Sequence, residues 1–103
     1  MAHFASAART FRALSDETRL RIVDRLRDGE ECVCNLTGPL ETRQSLLSFH
    51  LRILKEAGIL RDRKQGRWVY YSLNPDAFDE ISETLERFKK PRSGFRLVSP
   101  RCP

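Results

Sequence analysis

At 103 residues, 40% of them hydrophobic, the chain has room for one small domain with a modest core, which excludes a multidomain enzyme. No apolar run approaches the roughly 18 residues of a membrane span, and Met1 to Ser6 lack the basic start and apolar stretch of a secretory signal, so a soluble, cytoplasmic protein is expected. The net charge of +5 is uneven: residues 1–88 balance 14 basic against 14 acidic groups, and Lys89, Lys90, Arg92, Arg96 and Arg101 make the last 15 residues basic.

Phe4, Ala7, Ala8, Phe11 and Leu14 recur at helical spacing and predict a first helix over 3–14. Ser15-Asp16-Glu17-Thr18 reads as the cap of a second helix over 16–28, with Leu20, Val23 and Leu26 buried and Gly29 as its stop. A short third helix over 31–38 is expected to carry Cys32 and Cys34, with Gly38-Pro39 ending it. Thr42 is the expected cap of a fourth helix over 43–57, whose core line is Leu47, Leu51 and Leu54. The period then changes to two. Ile59 to Arg63, a Lys64-Gln65-Gly66 turn and Arg67 to Leu73 predict a β-hairpin in which Val69, Tyr71 and Leu73 share one face. Asn74-Pro75-Asp76 starts the last helix, striped by Phe78, Ile81, Leu85 and Phe88 and ended by Pro91. Residues 1–90 are thus expected to form one domain and residues 91–103 a basic, flexible tail.

The fold class implied is mainly α with a small β-hairpin wing, a winged helix-turn-helix. Residues 43–67 support a nucleic-acid partner, because seven basic groups (Arg43, Arg52, Lys55, Arg61, Arg63, Lys64, Arg67) stand against Glu56 and Asp62. A basic strip gains free energy from the counterions that each neutralised phosphate releases. In this geometry the second helix of the pair enters the major groove of DNA. The residues it would present are Gln44, Ser45, Ser48, Phe49 and Arg52, with His50 within reach of a phosphate; Phe49 and His50 taken singly are more often packing residues. Arg63, Lys64, Gln65 and Arg67 are the expected backbone contacts of the wing. Apolar faces left on the first and last helices predict a homodimer, which would set two recognition helices roughly 34 Å apart on a palindromic operator.

Cys32-Val33-Cys34-Asn35-Leu36, Ser48-Phe49-His50-Leu51 and Asp62 through Tyr71 resemble the arsenical-resistance repressors of the ArsR/SmtB family, as does Ala13 through Leu20. The resemblance spans about residues 4–88. It implies a homodimeric winged-helix repressor, without an organic cofactor, that holds operator DNA until As(III) or Sb(III) binds cysteine thiolates.

That branch usually has a third cysteine three residues after the second, where this chain has Thr37, whose hydroxyl is a poor ligand for a soft ion. Cys32 and Cys34 are the expected ligands, and Cys102 the candidate third. A two-thiolate site for a methylated arsenical or another soft metal is the alternative. Zn(II) sensing on the last helix is disfavoured because Phe78 to Phe88 contains no histidine, and a tetrahedral site would need His3 as well as Cys102. On an ideal helix, residues two apart lie about 200° around the axis with β-carbons about 7 Å apart, so ligand binding is expected to unwind the third helix and tilt the recognition helix. Two competing functions are a thiol-redox switch, for which an i, i+2 disulfide is expected to be strained, and a thiol enzyme, for which neither His3 nor His50 is convincingly placed beside a cysteine.

Overall fold

The computed structural model describes residues 4–40 and 42–90. Five helices, α1 (Ala5–Leu14), α2 (Glu17–Leu26), α3 (Thr37–Leu40), α4 (Gln44–Glu56) and α5 (Pro75–Lys89), surround a three-stranded antiparallel sheet of β1 (Glu31–Cys32), β2 (Leu60–Gln65) and β3 (Trp68–Leu73). The sheet order is β1-β3-β2. The winged helix-turn-helix expected from the sequence is the observed fold.

Local chemistry explains most boundaries. The Asp16 carboxylate accepts the Arg19 N–H at 3.0 Å and caps α2, and the Asn74 side chain accepts the Asp76 N–H while Pro75 fills the first position of α5. Leu60 stands opposite Leu73 and Gln65 opposite Trp68, so Gly66-Arg67 form a two-residue turn; Gly66 has φ of 61°, the left-handed conformation such turns require. Ile22, Leu36, Leu47, Leu51, Leu54 and Ile59 are fully buried and form the centre of the core, with Tyr71, Leu73 and Phe78 packed against it.

The segment expected as the third helix differs. Glu31 and Cys32 are extended and pair with Tyr71 and Tyr70 of β3, and Val33–Asn35 make one 3-10 turn before the four-residue α3. The cause is tertiary: adding a third strand to the hairpin satisfies backbone groups along β3 that the helix would have left open. Gly38-Pro39 lie inside α3, since a proline in a first helical turn forfeits no hydrogen bond. Thr42 does not cap α4. Arg43 occupies that position with no side-chain cap, and the Thr42 hydroxyl is buried without a partner.

Two apolar lines also shift. The inner face of α1 is Ala7, Thr10 and Ala13, small residues that permit close approach, while Phe4 is exposed and meets Phe88 of α5 with ring centroids 5.9 Å apart. In α2 the core residues are Ile22 and Leu26, and Leu20 is exposed.

Candidate nucleic-acid interface and thiol site

Helix α4 sorts its side chains cleanly. Leu47, His50, Leu51 and Leu54 are buried, and Gln44, Ser45, Ser48, Phe49 and Arg52 lie together on the exposed face at the 3.6-residue period. Phe49, weighed as a packing residue, is 45% exposed. His50, considered for a phosphate, is 6% exposed and points inward: Arg19 Nη1 lies 3.1 Å from its Nδ1, and Asp16 Oδ2 lies 3.9 Å from the same atom. Arginine can only donate, so Nδ1 accepts. His50 therefore ties α4 to the start of α2 and faces away from any surface ligand.

The wing residues divide in the same way. Arg63 is held by Glu30, with Nη2 to Oε1 at 2.6 Å and Nε to Oε2 at 3.0 Å, and its guanidinium lies over the Tyr70 ring. Gln65 accepts from Arg63 Nη1 at 2.7 Å. The hydrogen bonds from Arg63 hold the Glu30 carboxyl below its ordinary range. Two more cations of the basic stretch are also paired, Lys55 with Asp62 and Arg61 with Asp76. Among the described residues, Arg43, Arg52, Lys64 and Arg67 form no ion pair, and Arg67 rests over the Trp68 ring. Glu30 is the member of this region that sequence reasoning missed; its only sequence signal was an acidic residue beside the cysteine segment.

Cys32 is buried and Cys34 exposed, yet their sulfurs are in direct contact as a disulfide pair, and the Cα atoms are 5.2 Å apart. That separation lies inside the range of ordinary bridges. The Cys34 N–H also points to Cys32 Sγ, 3.4 Å away. With one cysteine on a strand and the other on a tight turn, no helix has to unwind for both sulfurs to reach one atom.

The pair opens into a groove of about 430 Å³ lined by Val33 of its own turn, Gln44 and Ser48 of α4, and Arg67, Trp68, Val69 and Tyr71 of the wing. Thr37, at the position of the missing cysteine, is not part of that lining. Burial raises the Tyr71 hydroxyl above its ordinary titration range, so the ring stands as a neutral wall. The two cysteines thus share one cavity with residues of the exposed α4 face and of the wing. Cys102 and His3 lie outside the described residues, and among the described residues no group of three His, Cys, Asp or Glu side chains is arranged to hold a metal ion. No helix of the described residues is long and apolar enough to cross a membrane.

Comparison with known proteins agrees with this architecture. The profile described as bacterial regulatory protein, arsR family, matches residues 16–62. An arsenic resistance transcriptional regulator of Pseudomonas putida is 52% identical over 77 residues, 74% of this chain and 60% of that protein; the chain thus spans less than two thirds of that relative's length. The arsenical resistance operon repressor of Bacillus subtilis is 45% identical over 77 residues, 73% of each chain. An ArsR-like transcriptional regulator from Rhodococcus superposes with a TM-score of 0.76 at 30% identity, covering 84% of this chain and 81% of its own. The chain belongs to the arsR family of bacterial regulatory proteins, which are DNA-binding transcriptional regulators and not enzymes.

Proposed function

We propose that this protein is a metalloid-responsive repressor that binds a palindromic operator as a homodimer and is released when As(III) or Sb(III) is taken by the Cys32 and Cys34 thiolates. The observation that carries this reading is the shared groove: both cysteines line the same cavity as Gln44, Ser48 and Arg67. Thiolates suit a soft, thiophilic ion better than any other side chain here. Gln44, Ser45, Ser48, Phe49 and Arg52 are the base-reading face, Lys64 and Arg67 the wing contacts to phosphate, and Arg63 a wing residue that Glu30 restrains. Helix α4 supports this role, because its first turn has no side-chain cap and leaves N–H groups for a phosphate. The exposed aromatic and aliphatic patch of Phe4, which precedes α1, with Leu85 and Phe88 of α5 is the proposed dimer face.

Coupling between the two sites runs through β1. Cys32 pairs with Tyr70 of the wing and Cys34 stands on the turn leading into α3. An atom bridging both sulfurs shifts the wing relative to α4, and the ligand must favour the displaced arrangement by its differential affinity. Operator binding by reduced protein, followed by fluorescence anisotropy with As(III), Sb(III), Cd(II) and Zn(II), tests the reading. Release by As(III) and Sb(III) but not by Zn(II) is expected, and equal operator affinity with and without As(III) refutes it.

The contact between the two sulfurs favours a second reading, a thiol switch in which a peroxide takes two electrons and two protons from the pair. Loss of operator binding on oxidation without metalloid, reversed by dithiothreitol, is its signature.

A further inference from the structure

A second cavity lies at the far end of α4 from the cysteine groove. It holds about 290 Å³ between α1, α2 and the end of α4, and its floor is carbon: Ala13 is buried, and Ile53 and Ala57 are half-buried. Arg9, Arg12 and Arg19 stand around it against one acid, Glu56, so the lining is positive. Arg19 is already engaged, with Nε donating to the Ala13 carbonyl at 2.6 Å and Nη1 to His50 at 3.1 Å. Arg9 and Arg12 are exposed, and among the described residues neither forms an ion pair. They occupy neighbouring turns of α1, where like charges repel, and an anion between them relieves that repulsion.

The anion that fits carries carbon. An apolar body gains free energy by covering Ile53 and Ala57, which a bare phosphate does not do. The position also separates the cavity from the operator face: at about 1.5 Å per residue, Glu56 lies about 18 Å along α4 from Gln44. The end of α4 fixes the orientation. Its last carbonyls carry the negative end of the helix dipole and Glu56 adds a full charge, so a carboxylate is repelled from that wall and drawn to Arg9 and Arg12. Small-molecule pockets run from roughly 300 to 1,000 Å³, and this volume limits the body to one ring or a short chain.

We propose that this cavity binds a small organic monocarboxylate, with its carboxylate on Arg9 and Arg12 and its apolar body on Ala13, Ile53 and Ala57. The site is separate from the cysteines and does not depend on the metalloid reading. Arg19 connects it to α4, because the guanidinium that lines the cavity is the one bonded to the buried His50. A carboxylate that draws Arg19 outward weakens that bond, and occupancy thereby lowers operator affinity.

Isothermal titration calorimetry of the reduced, full-length protein with phenylacetate and hexanoate tests the site, against acetate, 2-phenylethanol and inorganic phosphate. One-to-one binding with Kd below about 1 mM is expected for phenylacetate or hexanoate, at least about tenfold tighter than for each of the other three. Arg9→Gln and Arg12→Gln, both at exposed positions, are expected to weaken it several-fold, as is Ala57→Leu, which fills the floor; circular dichroism checks that each variant is folded. Binding of neither phenylacetate nor hexanoate, phosphate or acetate binding as tightly as they do, or affinity unchanged in all three variants overturns the inference. A reduced operator salt slope in Arg9→Gln and Arg12→Gln without carboxylate binding also overturns it and assigns these arginines to DNA. At saturating ligand, operator anisotropy is expected to report affinity lower by about fivefold or more, and an unchanged value overturns the link through Arg19.

Discussion

Cys32 stands opposite Tyr70 across the β1–β3 ladder, so the strand that carries a candidate ligand is also the third strand of the wing sheet. Two residues upstream, Glu30 clamps Arg63, the wing residue paired with Tyr70 on the other side of β3. Cysteine segment and wing are therefore joined by one strand ladder and one ion pair.

The clamp leads to a prediction about operator electrostatics. Removing Lys64 or Arg67 is expected to reduce the slope of log affinity against log salt by about one each, the effect of one lost phosphate contact. Arg63→Ala is expected to change the slope less, because its charge is already matched by Glu30. Glu30→Gln should free Arg63 and steepen the slope. Anisotropy titrations across a salt series measure all four variants, and a slope for Arg63→Ala equal to that for Arg67→Ala would contradict the pairing.

Thiol substitutions separate sensing from DNA binding. Cys32→Ser and Cys34→Ser are each expected to bind operator within about twofold of the parent, since neither residue belongs to the exposed face of α4. Both should lose release by As(III). Retained release in either single variant would show that the pair does not act as one site.

The buried His50 is expected to govern stability and leave phosphate contact unchanged. His50→Ala removes the acceptor for Arg19 and opens space beside Leu51, with a cost of about 1–3 kcal/mol in urea unfolding. Its operator salt slope should match the parent. A reduced slope with unchanged stability would return the residue to the DNA interface.

Asp16 makes a pH prediction. The Arg19 N–H hydrogen bond, aided by the Arg19 charge, lowers the folded carboxyl below its ordinary 3.8. A depressed folded value means that its stabilisation is present above the unfolded value and is lost as pH falls through the folded one. Asp16→Ala is expected to cost about 1 kcal/mol near neutrality, the usual worth of such a cap, while Asp16→Asn keeps the cap and loses only the acid dependence. Chemical denaturation at several pH values between neutrality and acid checks both.

For the proposed dimer, Phe88→Glu places a charge on a side chain that is 64% exposed beside Phe4. Sedimentation velocity is expected to show a shift to monomer and a large loss of operator affinity, with α5 still folded. An unchanged dimer would move the interface elsewhere, with Leu20 and Leu46 the next exposed apolar residues to examine.

Much of the fold was legible because periodicity and capping are local. The helical repeat of Leu47, Leu51 and Leu54, the caps at Asp16 and Asn74, and the change to period two at Ile59 all depend on neighbours a few residues away. Charge counting located the basic strip, but it could not show that Lys55, Arg61 and Arg63 are neutralised by partners that lie up to 33 residues off. Alternation along β3 identified a packed face, with Tyr71 and Leu73 against the core, but gave no hint of a cavity on the way to the cysteines.

The sequence by itself determined the winged helix-turn-helix, the exposed face of α4 and the two neighbouring cysteines, because each is written in short-range spacing. Only the tertiary structure decided what the cysteine segment is. As an isolated stretch it reads as a helix with its sulfurs on opposite sides. The hairpin supplies an open edge whose hydrogen bonds draw Glu31 and Cys32 into a strand, and the turn that follows brings Cys34 back against Cys32 at the mouth of a groove shared with α4 and the wing.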